Sequence, residues 1–170
     1  CEAEERYAAL FIKKQPQRGD DDAAMANRAM ETPIVIRDNQ ILVPVVLMHG
    51  GRQRQVNLLL DTGATTTVLY PHAARAIDVR GTRPREARSV DGQRVAAWDL
   101  SISALRLGPF RFDNVAAVLI PHTDQDLPYG GLLGIDILKQ LSYMIDFSNR
   151  VIRWDATDSA TDLHVSCAQP

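Results

Sequence analysis

Cysteine is nearly missing from this chain: there are two in 170 residues, Cys1 and Cys167. So few exclude a disulfide framework, a Cys-x-x-Cys metal spacing and a cysteine–histidine nucleophile pattern. Aromatic residues make up only 6% of the chain, so the core must come from Val, Ile and Leu, a composition that favours strands. No apolar run approaches the ~18–20 residues that cross a bilayer as a helix. Excess charge is missing too: 19 basic against 21 acidic residues leave a net charge of −2, without the concentrated basic face that a nucleic-acid partner requires. Arg80, Arg83, Arg85 and Arg88 lie close together and read as a solvated loop or strand edge. His49, His72, His122 and His164 show no ligand spacing, so neither a metal nor another cofactor is expected.

No leader peptide is visible, and position 1 is Cys1 rather than methionine. An N-terminal cysteine fits a lipid-anchored protein, and it fits a processing or cloning boundary equally well. The terminal cysteines allow a Cys1–Cys167 disulfide or two free thiols. The expected setting is the cell envelope or periplasm.

Residues 2–14 place Ala3, Tyr7, Leu10 and Phe11 on one helical side, and Pro16 and Gly19 end that pattern. Asp20–Asp22 would cap a short helix over Ala23–Met30. Residues 1–32 are therefore read as a helical appendage or linker, 33–154 as one domain, and 155–170 as a C-terminal tail. From Pro33 the texture is β. Strands are predicted over Ile34–Ile36, Ile41–Met48, Gln53–Leu60 and Thr66–Leu69, followed by a short helix from Pro71 to Ala76. Further strands are predicted over Glu86–Val90, Gln93–Ile102, Leu105–Phe112 and Val115–Ile120. Turns are expected at Asp38-Asn39, His49–Gly51, Asp91-Gly92, Gly108-Pro109 and Asp113-Asn114. His122–Gly130 reads as a polar loop and Leu132–Gln140 as a helix. Tyr143–Asp146 and Val151–Trp154 read as a closing hairpin. Many short strands with one late helix predict a mostly β, closed barrel. Trp98, Trp154 and Phe147 are assigned to its core.

The most informative stretch is Leu58-Leu59-Leu60-Asp61-Thr62-Gly63-Ala64, continuing as Thr65-Thr66-Thr67-Val68-Leu69. An apolar strand delivers a carboxylate into a tight loop that Gly63 permits. A second block, Gly131-Leu132-Leu133-Gly134-Ile135-Asp136-Ile137-Leu138, joins glycine to apolar residues. With these two motifs in this order, residues 34–154 resemble the aspartic proteases, and more closely their single-domain, retropepsin-like branch of bacterial type.

That resemblance implies an aspartic endopeptidase in which Asp61 is catalytic, supported in its loop by Thr62, Gly63 and Ala64. The chemistry needs two carboxyls sharing one proton, and the chain carries a single Asp-Thr-Gly. The resemblance therefore implies a homodimer with Asp61 of each copy facing its mate and the Thr62 hydroxyl bracing the contact. It also makes Ser89-Val90-Asp91-Gly92-Gln93 the tip of a mobile flap over an extended peptide or protein substrate. Val90, Ile120 and Leu133 become substrate-pocket walls. Asp136 is read as a structural acid binding backbone amides or an arginine, and Gly134 as a site of close approach to the Asp61 loop. Thr65-Thr66-Thr67 replaces an acid common in retroviral relatives. The alternative reading is a catalytically weak or inactive dimerisation or peptide-binding module.

Overall fold

A computed structural model describes residues 30–89, 92–121, 127–155 and 164–166. Both cysteines and the expected helices over residues 2–14 and 23–30 lie largely or wholly outside that range, as do Val90 and Asp91. The chain runs β1 (Glu31–Pro33), β2 (Val35–Arg37), β3 (Gln40–His49), β4 (Arg52–Leu60), β5 (Val68–Leu69), α1 (Pro71–Ala76), β6 (Arg83–Arg88) and β7 (Arg94–Leu107). It continues through β8 (Phe110–Leu119), β9 (Gly131–Leu133), α2 (Ile135–Leu138), β10 (Tyr143–Asp146), β11 (Val151–Trp154) and β12 (His164–Ser166).

Local chemistry explains the hairpins. Asp38 and Asn39 both adopt left-handed backbone, at φ 49° and 60°, and join β2 to β3 through a two-residue turn. That is the conformation whose twist matches the flanking strands, and short polar side chains tolerate it. Gly50-Gly51 does the same between β3 and β4, whose register runs from Leu42↔Leu59 to His49↔Arg52. Pairing passes from β3 to β4, then to β9, β5, β8 and β7, and returns from β7 to β3. β6 extends β7 on the side away from β8, and β12 lies parallel to β8 over residues 111–113. A smaller sheet has the order β1-β11-β10.

The main core lies inside this circuit of strands. Val43, Val45 and Leu47 of β3 meet Leu100, Ile102, Leu105 and Leu107 of β7 and Phe110, Phe112, Val115 and Ala117 of β8. α1 covers it with Ala73 and Ala74, and the β10–β11 hairpin covers it with Ile152 and Trp154. The Trp154 indole packs edge-on against Phe110, at 5.4 Å between centroids and 82°.

Several sequence expectations are corrected. Asp113-Asn114 is not a turn: β8 runs straight through it, with Asn114 left-handed at φ 52° and the β7–β8 register unbroken. The buried positions switch phase there, from Phe110 and Phe112 to Val115 and Ala117, so one distorted residue redirects both halves of the strand inward. Residues 105–112 form the β7–β8 hairpin around Gly108-Pro109 instead of one strand. The helix predicted over Leu132–Gln140 is confined to Ile135–Leu138, because Gly131–Leu133 bridges β4 and β5 as a strand. Glu31 and Thr32, assigned to the appendage, belong to β1 and pair with Arg153 and Ile152. Phe147 is not core; it is 61% exposed in the turn after β10.

One polar pair pins β1 to the closing hairpin. The Trp154 indole N–H donates to Thr32 Oγ1 at 2.8 Å across 122 residues of sequence, with both side chains buried. A buried donor stripped of its acceptor keeps its desolvation cost. Thr32→Val is therefore expected to lower the unfolding free energy by about 1–3 kcal/mol, read as a lower urea midpoint with an unchanged slope.

Candidate active site

β4 ends in three leucines whose side chains alternate between faces. Leu58 and Leu60 join the main core, while Leu59 joins a second apolar cluster. The next residue, Asp61, leaves the sheet at partial exposure, and its backbone N–H still donates to the Leu133 carbonyl of β9 at 3.1 Å. The chain then turns back on the carboxylate. Oδ1 accepts from the Gly63 N–H at 2.9 Å and from the Ala64 N–H at 3.2 Å. Oδ2 takes no hydrogen bond from any described residue. One carboxylate oxygen is therefore fixed and the other keeps its acceptor capacity unused among the described residues, as a base that must meet a water requires. The Thr62 side chain is exposed beside it.

The loop is laced to the second motif at four points. Besides Asp61 N–H to Leu133, the Ile135 N–H donates to the Ala64 carbonyl at 2.8 Å. The Gly134 N–H donates to Thr67 Oγ1 at 3.2 Å. Thr67, fully buried, gives its hydroxyl proton to Asp136 Oδ1 and its backbone N–H to Asp136 Oδ2, both at 2.9 Å. Asp136 also accepts from its own helix at the Ile137 N–H, 3.0 Å. It is a structural acid that braces the loop through backbone amides and one hydroxyl. Close approach makes the glycines necessary. A Cβ on Gly134 would stand 2.6 Å from the Thr66 carbonyl carbon and 2.8 Å from the Thr67 nitrogen. Gly131 has φ 153°, and a Cβ there would run into the Val68 carbonyl oxygen.

Beside Asp61, on the face of these strands opposite the core, lies the second apolar cluster. Leu42, Val68, Tyr70 and Tyr129 are buried in it, with Leu59, Ile120, Leu127 and Leu132 partly exposed around them. Register explains this: Leu59 pairs with Leu132 and Leu132 with Val68, so three neighbouring strands present one apolar side chain each to the same face. The Tyr70 and Tyr129 rings sit 6.1 Å apart. Burial, then the Tyr129 phenol and the Asp61 carboxylate, push the Tyr70 phenol from 10.0 up to about 12, which places the cluster within electrostatic reach of Asp61.

Of the residues singled out from sequence, Asp61, Thr62, Gly63 and Ala64 form one loop, and Ile120 lines the neighbouring cluster. Leu133 sits elsewhere: its side chain is fully buried in the main core, and only its carbonyl meets the loop. The predicted flap segment is a hairpin of β6 and β7, paired from Arg83↔Asp99 to Arg88↔Arg94. It narrows to Ser89 N–H donating to Gln93 and Gly92 N–H donating to Ser89, both at 2.9 Å, with Gly92 at φ 81°. Leu59, Val68, Tyr70, Tyr129 and Leu132 were not singled out. The period-two alternation of Leu58-Leu59-Leu60 and Leu132-Leu133 carried the signal for the leucines. No described group of His, Cys, Asp and Glu is arranged to hold a metal ion.

The same segment stands out in comparison with known proteins. Residues 43–137 match a family described as aspartyl protease. No curated protein matches the chain. Among solved structures, a retropepsin-like aspartic protease from Rickettsia conorii aligns with TM-score 0.51 at 18% identity, over 72% of this chain and 87% of that one, a likeness of fold. EIAV protease complexed with the inhibitor HBY-793 aligns at 0.47 and 21% identity, over 60% and 88%. The retroviral protease-like domain of Ddi1 from Leishmania major aligns at 0.47 and 20%, over 68% and 88%.

Two measurements test the site's construction. Thr67→Val and Asp136→Ala each leave a buried partner unsatisfied, so each is expected to cost about 1.5–3 kcal/mol in chemical unfolding. Asp61→Asn keeps an oxygen for Gly63 and Ala64, and should leave the midpoint nearly unchanged. Tyr70 favours its protonated form in the folded state. Its contribution is therefore intact below pH 10 and is lost as the pH climbs from 10 towards 12. Ultraviolet titration should show a late-ionising tyrosine phase, and Tyr70→Phe should remove that phase.

Proposed function

We propose that this chain, which belongs to the aspartyl protease family, hydrolyses peptide bonds as an aspartic endopeptidase whose active site is shared between two copies. The observation that carries this reading is the Asp61 carboxylate at the end of β4, with Oδ1 held by two backbone amides and Oδ2 taking no hydrogen bond from a described residue. Because the chain holds one Asp-Thr-Gly, the second carboxyl comes from Asp61 of another copy. Two carboxyls brought within a few ångströms cannot both ionise, so the pair holds one proton and titrates as a unit.

The steps follow from that shared proton. The ionised Asp61 takes a proton from a water, and the water oxygen bonds to the scissile carbonyl carbon. The protonated Asp61 gives its proton to the carbonyl oxygen, leaving a neutral gem-diol. The carboxyl that took the water's proton then gives it to the amide nitrogen, and a gem-diol hydroxyl returns its proton to the other carboxylate as the carbonyl re-forms. The carbon–nitrogen bond breaks to leave an acid and an amine, with one proton again on the pair. The exposed Thr62 hydroxyl would brace the two loops against each other. The Ser89–Gln93 hairpin tip would close over an extended substrate as a flap, adding backbone hydrogen bonds and excluding water. The partly exposed side of the outer cluster, at Leu59, Ile120 and Leu132, would pack against an apolar substrate side chain. The circuit of strand pairings supports a closed barrel as the frame for this site.

With denatured protein or a peptide library as substrate over pH 3–7, wild type should cleave and Asp61→Asn should lose about 10²–10⁴-fold in kcat/KM at least. Activity per mole of chain should fall on dilution, and a pepstatin-type inhibitor should block it. A dimeric wild type that cleaves nothing, or an Asp61→Asn protein as active as wild type, would overturn the proposal.

A further inference from the structure

A hairpin that closes over a substrate offers it one face, and the charges on that face select what fits under it. Two ion pairs tell the faces of the β6–β7 hairpin apart. On one face Arg85 donates to Asp99 at 3.2 Å. On the other Arg94 meets Glu86 at 3.3 Å, and Arg88 stands directly opposite Arg94 in the register. Residues two apart on a strand share a face, and neither the β6–β7 nor the β7–β8 pairing breaks between residues 94 and 102. Arg88 and Arg94 therefore lie on the same side of the sheet as Trp98, Leu100 and Ile102. Leu100 and Ile102 belong to the main core, so this is the side of β7 turned to the interior of the strand circuit. It runs from the core past Trp98 to the neck of the hairpin, just below the tip at Ser89–Gln93, where Arg88, Arg94 and Glu86 are all exposed. In sequence Arg88 is one of four neighbouring arginines that read as a solvated edge. Register sets it apart from Arg83 and Arg85, which lie on the opposite face with Asp99.

We infer that Arg88 and Arg94 form a subsite for an acidic substrate residue, so that the preferred peptides carry Asp or Glu close to the scissile bond. The inference rests on the proposed protease with this hairpin as its flap, and gives that site a substrate class. Like charges directly opposite each other on paired strands repel. Glu86 offsets only one of the two guanidiniums, and Arg88 has no hydrogen-bond or ion-pair partner among the described residues. A carboxylate arriving on this face would relieve the repulsion and accept charge-assisted, two-pronged N–H bonds from Arg88. A lysine or arginine at the same place would add a third positive charge, so the pair rejects basic residues as well as attracting acidic ones. In a two-fold assembly each copy brings the same hairpin. Acid preference is therefore expected on both sides of the scissile bond.

The test uses a peptide series in which Glu or Gln is placed in turn at each position flanking a cleaved bond. Wild type is expected to favour Glu over Gln by about 5–20-fold in kcat/KM at one or more positions, chiefly through KM, and the ratio should shrink as salt is raised. Arg88→Gln and Arg94→Gln should each bring the ratio towards one, Arg88→Lys should keep part of it, and Arg88→Glu should shift the preference to Lys. Circular dichroism verifies that each variant is folded. The Asp61→Asn protein adds a readout apart from cleavage: fluorescence anisotropy should show it binding the Glu peptide more tightly than the Gln peptide. A wild type that cleaves without a Glu preference at any position would overturn the subsite while leaving the protease standing. So would a preference that survives Arg88→Gln and Arg94→Gln combined. A wild type that cleaves nothing would overturn the protease reading and the subsite with it.

Discussion

The Asp61 loop is held from outside as well as by its own turn, by a segment some seventy residues later in the chain. Thr67 is the centre of that arrangement, fully buried, receiving the Gly134 N–H and giving both its protons to Asp136. The buried hydroxyl and the half-buried carboxylate satisfy each other, so neither carries an uncompensated desolvation cost. Three further contacts position the candidate catalytic oxygen beside this one: Asp61 N–H on the Leu133 carbonyl, Ile135 N–H on the Ala64 carbonyl, and the turn that aims Gly63 and Ala64 at Oδ1. The glycines follow as a consequence, since two backbones this close leave no room for a Cβ at Gly134.

How much of this was readable from the sequence depends on the scale of the signal. Hairpins were legible because turn chemistry is local: Asp38-Asn39 and Gly50-Gly51 sit where their backbone angles are required. The Asp61 loop was legible because an acid and a glycine after an apolar strand make an unusual local pattern. The structural role of Asp136 was legible from its place in the first turn of a helix. Other features were hidden because partners distant in sequence decide them. Gly131–Leu133 has the composition of a buried helix or strand alike, and only the gap between β4 and β5 makes it a strand. Asn114 looked like a turn because its left-handed preference is real, yet the β7–β8 pairing absorbs it without breaking register. Phe147 looked like core because aromatic residues are scarce in this chain, and scarcity does not say which surface an aromatic covers.

The leucines at the end of β4 divide labour in a way that bears on how such a chain can change over time. Leu58 and Leu60 answer to folding, while Leu59 between them packs beside Leu132 and Val68 in the outer apolar cluster. Substitutions at the intervening positions can reshape the outer apolar cluster while the neighbours continue to hold the scaffold. The outer face is therefore free to drift residue by residue, provided the strand never shifts by a single position, since that slip would exchange the two roles at once.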